Sequence, residues 1–178
     1  MFYLQKATPQ NAKKWLYLVQ QNRIELEKWM PYLKEIKTEE QAEAYIQKNA
    51  RLDFYLGVHF YEIWAENTLV GLVFLHSGRV TDKSVQLAYW LGCAYLGNGY
   101  AIKACQFLIS KTVIEYRIQV FRIHCLRTNL PSKKLAIHLG FDLEKEENDI
   151  LHFAMPRAKW LECYYEEDDL FNFLEEVD

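Results

Sequence analysis

The sequence predicts a mixed α/β (α+β) fold in which one mostly antiparallel sheet is flanked by helices. Three observations carry this. Helix-start signals and helical spacing fill residues 8 to 50, and period-two alternation takes over from Leu56. Three strand-like runs then follow with short turns between them, the pattern of an antiparallel meander. A glycine cluster, a helix, a strand, a second helix and two more strands complete one layered domain. The 178 residues suit a single core, and 51% hydrophobic with 15% aromatic residues make it a packed one.

The elements read in order. Phe2 to Lys6 is a short opening strand. Thr8 is expected to cap a helix with Pro9 in its first turn, running toward Gln21. A second helical piece carries "NRIELEKWMP" and stops before Pro31. Thr38 with Gln41 three residues on forms a capping box, opening a helix to about Ala50. Leu56 to Ala65 is strand-like, Glu66-Asn67 a turn, Leu69 to His76 and Ser84 to Leu91 the next strands. The following helix places Ile102, Cys105, Ile109 and Val113 on one stripe and Lys103, Gln106 and Ser110 on another. Val120 to Arg127 alternates, with Phe121, Ile123 and Cys125 on one side. Pro131 opens a short helix closed by Gly140, and Phe141 to Lys145 and Ile150 to Met155 form a final strand pair.

Charge and composition narrow the function classes. Net charge is −3, yet residues 166–178 hold seven acids and no base. The rest has 17 acids against 21 bases, a body of +4 that suits a phosphate-bearing small ligand. No Lys/Arg cluster exceeds a pair, which argues against nucleic acid as a partner. The longest apolar stretch, Leu69 to Leu75, is too short for a bilayer, and the N-terminus carries no secretory pattern, so no membrane partner and a cytoplasmic location are expected. Cys93, Cys105, Cys125 and Cys163 make no CxxC pair and read as reduced, mostly buried thiols. The five histidines have no ligand spacing, so no metal site is expected.

The stretch "YWLGCAYLGNGYAIKA", residues 89–104, holds three of the seven glycines between a strand and a helix. A P-loop fails for want of the Lys-Ser/Thr pair, and a Rossmann turn fails because Ile102 stands where a small residue is required. Two readings remain: a tight strand-to-helix turn, or a pyrophosphate cradle made by the N–H groups of Gly97 to Ala101 at a helix N-terminus.

This stretch resembles motif A of the GNAT superfamily of N-acetyltransferases, Q/R-x-x-G-x-G/A, with Gly99 and Ala101 at its last two positions and Leu96 where Gln or Arg is usual. "NRIELEKWMP", "LVGLVFLH", "LAYWL" and "RTNLPSKKLAIHLGF" are similar, in the same order, to segments of the ribosomal-protein N-terminal (Rim-type) acetyltransferases, over roughly residues 2 to 157. The resemblance implies a GNAT domain over residues 1–160, acetyl-CoA as co-substrate and an amine as acceptor, either a protein N-terminus or a small amine, while charge and apolar spacing mark 161–178 as an acidic amphipathic tail. It implies that Tyr89, Trp90 and Leu91 pair with the pantetheine. The pyrophosphate would lie on Leu96, Gly97, Asn98, Gly99, Tyr100 and Ala101. Asn129 would bind pantetheine, and Ser132 would protonate the departing thiolate. Their local alternatives are a helix cap at Asn129 and a first-turn residue at Ser132.

For the substrate side, Trp29, Tyr32 and His76 are the candidate wall. Where relatives carry a glutamate base this chain has Gln86, an amide that takes up no proton at neutral pH. Glu62, Glu144, His76, a relayed water and an amine that is already neutral stay open, and no base is assigned. Loss of that base and of the usual Gln or Arg at Leu96 keeps a second class in view, a non-catalytic acyl-CoA sensor or scaffold. The pattern Leu170, Phe173, Leu174, Val177 predicts an amphipathic helix over residues 168–178. It would dock on the chain's own body or on a second subunit, which leaves a homodimer open.

Overall fold

Period-two alternation becomes seven strands, and the helical segments cover both faces of the sheet they form. The structure is a computed structural model that describes residues 1–50, 60–79 and 83–164. Strand β1 (Phe2–Lys6) leads through a 3₁₀ turn at Pro9–Asn11 into helices α1 (Ala12–Gln21) and α2 (Arg23–Trp29). A second 3₁₀ turn at Pro31–Glu35 precedes α3 (Glu39–Ala50). Strands β2 (Phe60–Ala65), β3 (Thr68–Arg79) and β4 (Ser84–Leu91) form the meander. Then come α4 (Tyr100–Glu115), β5 (Val120–Leu126), α5 (Leu130–His138), β6 (Asp142–Glu147), β7 (Ile150–Pro156) and α6 (Arg157–Tyr164). The first part of the Leu56–Ala65 strand, before Phe60, and the 168–178 helix lie outside the described residues.

The sheet order is β1-β2-β3-β4-β5-β7-β6. Every neighbouring pair is antiparallel except β4 and β5, which run parallel. Helices α1 to α3 pack on one face around Trp15, Val19, Leu33, Ile46, Leu72 and Trp90. On the other face α4, α5 and α6 bury Leu108, Ile109, Leu135, Phe121, Phe153 and Trp160. The β2–β3 turn places Glu66 and Asn67 at φ 49° and 64°, a left-handed pair that suits the strand twist. Asn148 and Asp149 do the same between β6 and β7, at 52° and 62°.

Several local expectations give way to tertiary partners. Thr8 makes no side-chain cap; its N–H donates to Glu62 Oε1 at 3.2 Å. Glu62 is fully buried and also accepts from Asn11 Nδ2 at 2.7 Å and Trp64 Nε1 at 3.0 Å. Burial raises its pKa, while these three donors and Lys14 pull the other way. Ser110, expected on the polar stripe of α4, is buried beside the core. Only Cys105 and Cys125 of the four thiols are buried, Cys93 and Cys163 being exposed. Helix α6 carries no sequence signal that marked it out, and it runs across the 160/161 boundary. Trp160 stacks on Tyr164 at 4.0 Å, and the Tyr164 hydroxyl donates to Leu139 O at 3.4 Å. The capping box is as expected: Gln41 Oε1 accepts from Thr38 N at 3.1 Å and Gln41 N donates to Thr38 Oγ1 at 3.3 Å.

One glycine sets how closely β3 and β4 approach. A Cβ on Gly71 would stand 2.1 Å from Trp90 O and 2.7 Å from Leu91 Cδ2. Gly71→Ala is therefore expected to lower stability by about 1–3 kcal/mol, the usual cost of forcing atoms into a packed interior. Urea denaturation checks this through a lower midpoint at unchanged slope.

Candidate active site

The parallel pair β4–β5 is hydrogen-bonded over Ser84–Gln86 and Val120–Arg122, and the ladder stops there. Beyond it β4 stays on β3, with Tyr89, Trp90 and Leu91 opposite Val73, Leu72 and Gly71. Strand β5 stays on β7 as far as Leu126 opposite Ile150. The two strands therefore part in a V, and the far ends of β4 and β5 have no strand between them. An extended amide-bearing chain is what such a gap can take, because backbone donors and acceptors along it need partners.

At the mouth of the V lies the glycine stretch. Gly92 N–H donates to Val70 O at 2.9 Å, and a 3₁₀ turn at Cys93–Tyr95 follows. Gly97 and Gly99 adopt φ 79° and 76°, left-handed values that side chains disfavour. A Cβ at either would meet nothing within 4 Å. So these glycines answer to backbone conformation, and the space they leave is open to a ligand. Gly99 caps α4 with no side-chain hydrogen bond, and the N–H groups of Tyr100, Ala101 and Ile102 open the helix with no carbonyl inside it to receive them. Asn98 Nδ2 folds back on Tyr95 O and Leu96 O at 3.2 and 3.3 Å, which fixes the loop. Leu96 is 52% exposed. A pyrophosphate fits this cradle: main-chain donors, a positive helix end and no side chain in the way.

The "NR" of "NRIELEKWMP" acts on this loop. Asn22 Oδ1 accepts from Cys93 N at 2.7 Å while its Nδ2 donates to Leu18 O at 2.8 Å. Arg23 reaches Leu33 O at 3.0 Å, Ile36 O at 2.8 Å and Glu27 Oε1 at 2.9 Å. The pair ties the α1–α2 corner both to the loop and to the turn after α2.

On the α4/α5 face of the V, Ser132 Oγ and the Tyr89 hydroxyl are hydrogen-bonded at 2.8 Å. Burial raises the pKa of the nearby Cys125 thiol, with Ser132 opposing the shift. Burial likewise raises the Tyr89 phenol, with Cys105 adding to the shift and Ser132 opposing it, so the phenol stays protonated. Asn129 Oδ1 accepts from Ser132 N at 3.2 Å and so caps α5, which is the local role its position suggested. Trp90, by contrast, turns its indole to the opposite face and packs edge-on against Trp15 at 6.1 Å.

On that opposite face the structure joins two of the three expected wall residues. Tyr32 stacks on Tyr45 at 5.7 Å, Tyr45 meets Phe60 at 6.1 Å, Phe60 meets Phe74 at 5.2 Å and Phe74 meets His76 at 5.7 Å. Trp29 does not join this ladder by any ring contact among the described residues; its indole donates to Glu25 Oε1 at 3.2 Å, within α2. His76 pairs with Gln86 across β3–β4, and burial lowers its pKa. Glu62 is committed to three donors, and Glu144 faces Arg122 at 3.7 Å.

Two histidines escaped the sequence reading. His124 and His152 are cross-strand partners on β5 and β7 with ring centroids 4.3 Å apart. Burial first, then the charges of His152, Arg122, His76 and Lys145, lower the His124 pKa to about 4. The alternation of Arg122 and His124 against Phe121, Ile123 and Cys125 did signal which face they take; the pairing with His152 carried no local signal.

A domain model for acetyltransferase (GNAT) matches residues 2–142. The chain belongs to the GNAT acetyltransferase family. This acetyltransferase is 25% identical over 166 residues to a ribosomal-protein-serine acetyltransferase of Escherichia coli strain K12, covering 93% of this chain and 88% of the relative. Among solved structures it is similar to a ribosomal L7/L12 α-N-protein acetyltransferase in complex with coenzyme A (TM-score 0.79, 21% identity, 87% of this chain and 93% of that one). It is also similar to the microcin C7 self-immunity acetyltransferase in complex with acetyl-CoA and AMP (TM-score 0.77, 21% identity, 87% and 92%). No helix among the described residues is long and apolar enough to cross a membrane.

Two outcomes follow from this geometry. Gly99→Val, which must hold a branched side chain at φ 76°, is expected to weaken acetyl-CoA binding by roughly 1–3 kcal/mol through displaced loop donors, read by calorimetry. His124 binds its proton at about pH 4 when folded and near 6.5 when unfolded, so the unfolded chain holds more protons between these values. The stability owed to the neutral ring is complete above 6.5 and is lost as pH falls through 4. His124→Gln is therefore expected to flatten the acid side of the Tm-versus-pH curve in that window.

Proposed function

We propose that this acetyltransferase moves the acetyl group of acetyl-CoA to a primary amine, with the α-amine of a protein N-terminus as the acceptor class. The observation that carries the reading is the V between β4 and β5, with the glycine cradle at its mouth and the Tyr89–Ser132 hydroxyl pair along one face. In this reading the N–H groups of residues 97–101 hold the pyrophosphate. Tyr89, Trp90 and Leu91 offer main-chain groups to the pantetheine and to the thioester carbonyl, whose polarisation favours attack. Ser132, held by Tyr89, donates to the departing sulfur, and Asn129 keeps Ser132 in the first turn of α5. Tyr32 and His76 line the acceptor's approach along the aromatic ladder. The E. coli relative, named for a ribosomal-protein serine, supports a protein terminus as acceptor, and a ribosomal protein would place the reaction in the cytoplasm.

The test is amine-dependent thiol release from acetyl-CoA, run against peptides with free N-terminal Ser, Ala or Met, polyamines and aminoglycosides. Mass spectrometry of the peptides is expected to show one acetyl group at the α-amine. Binding of acetyl-CoA without turnover on any amine would overturn the reading in favour of a sensor. Ser132→Ala is expected to lower kcat by about 10²-fold or more while acetyl-CoA affinity holds, the signature of lost proton donation. An equal loss in both would leave Ser132 a helix residue only.

A further inference from the structure

We infer that His124 is the group that takes the proton from the attacking amine. The inference rests on the acetyl-transfer reading above and fills the place that Gln86 leaves without a carboxylate.

The argument is one of register. Gln86 and Arg122 are the last paired residues of β4 and β5, and side chains alternate between faces from there on. One step further, Leu87 and Ile123 lie on the α4/α5 face, in the core. A second step brings Ala88 on β4 and His124 on β5 to the opposite face, side by side across the opening V. A third brings Tyr89 and Cys125 back to the α4/α5 face, where the Ser132 hydroxyl bonds that of Tyr89. The V therefore carries a hydroxyl pair on one face and an imidazole on the other. Ala88 extends no more than a methyl group toward the gap, and His124 is only half-buried, so the ring is reachable from the V.

The acceptor's face is the one that holds His124. Phe74 pairs with Ala88 and His76 with Gln86, so the end of the aromatic ladder lies on the same face as His124. An amine moving along that ladder reaches the thioester from the side opposite Ser132. The other groups that could take its proton are engaged or unsuited: Glu62 holds three donors, Glu144 faces Arg122, and Gln86 is an amide.

His124 is held for this task. His152 on β7 meets its ring at 4.3 Å with planes at 61°, which fixes the imidazole edge-to-face. The charged and titratable groups around it are His76 on β3, Arg122 on its own strand, His152 on β7 and Lys145 on β6, with Glu144 beside Arg122. Burial, with the charges of Arg122 and Lys145 behind it, disfavours the protonated ring, so the imidazole is neutral at pH 7 and can accept a proton, although as a weaker base than a free imidazole.

The step balances. The amine nitrogen forms a bond to the acetyl carbon as the carbon–sulfur bond breaks. The N–H proton passes to His124, directly or through one water, and the Ser132 hydroxyl proton passes to the thiolate. Products are the amide and coenzyme A thiol; His124 returns its proton through solvent to Ser132, so both groups regain their starting state.

The experiment uses the full chain, an amine that the wild-type protein acetylates, and the variants His124→Ala and His124→Gln, with His138→Gln on exposed α5 surface as a control expected to be unchanged. Both His124 variants are expected to bind acetyl-CoA within about twofold of wild type and to lose about 10²-fold or more in kcat, the range general-base loss produces. Added imidazole is expected to restore turnover to His124→Ala and not to Ser132→Ala. Turnover by His124→Gln within about threefold of wild type overturns the assignment. So does a loss in His124→Ala that imidazole does not restore, or one matched by lost acetyl-CoA binding, since either makes the residue structural. Absence of turnover in the wild-type protein on every amine instead removes the acetyl-transfer reading itself, and this assignment with it.

Discussion

The donor half of the molecule depends on where two parallel strands stop sharing hydrogen bonds. Strand β4 is drawn to β3 along its whole length, because Gly71 lets Trp90 and Leu91 approach where any Cβ would collide. Strand β5 is drawn to β7 over seven residue pairs. Each is satisfied on its outer side, so three pairs on the inner side are all that hold the two together. The free edges that result would be a liability on a sheet's rim, where they invite another chain. Here they lie mid-sheet, between two helical layers, and leave a slot that an extended chain can enter.

The slot orders the rest. The Gly92–Ala101 loop leaves at its open end, so the first turn of α4 points its orphan N–H groups across the mouth. Ser132 is set at its side because Asn129 starts α5 there, and Tyr89 reaches over from β4 to bond it. The faces of the sheet then divide the labour: hydroxyls and thiols on the α4/α5 side, aromatics and imidazoles on the side of α1 to α3. Alternation along a strand is enough to put a hydroxyl pair and an imidazole pair on opposite faces of one sheet.

Much of this was legible in the sequence, and the failures have physical reasons. The meander, the glycine turn into α4 and the Asn129 cap on Ser132 N are local patterns, so they could be read without a fold. Tyr89 was singled out for its backbone, yet its hydroxyl finds Ser132 forty-three residues away, which no local pattern encodes. His124 and His152 meet because β5 pairs with β7 and skips β6, a register that composition cannot supply. Thr8 had the residue type of a cap, but its side chain makes no cap bond, and its backbone N–H instead serves buried Glu62, fifty-four residues away. Helix α6 is short and mixed in polarity, and it forms because Trp160 has a core to enter.

Asn22 has a consequence of a thermodynamic kind. Its side chain bridges Leu18 O and Cys93 N, so the α1–α2 corner and the glycine loop, where the acceptor and the donor's phosphates are proposed to lie, are one mechanical body. A shift of the loop on donor binding is then a shift of that corner. Linkage makes the effect reciprocal: whatever factor the donor applies to acceptor affinity, the acceptor applies to the donor's. A single amide thus couples two neighbouring binding events by one common factor, whichever ligand arrives first.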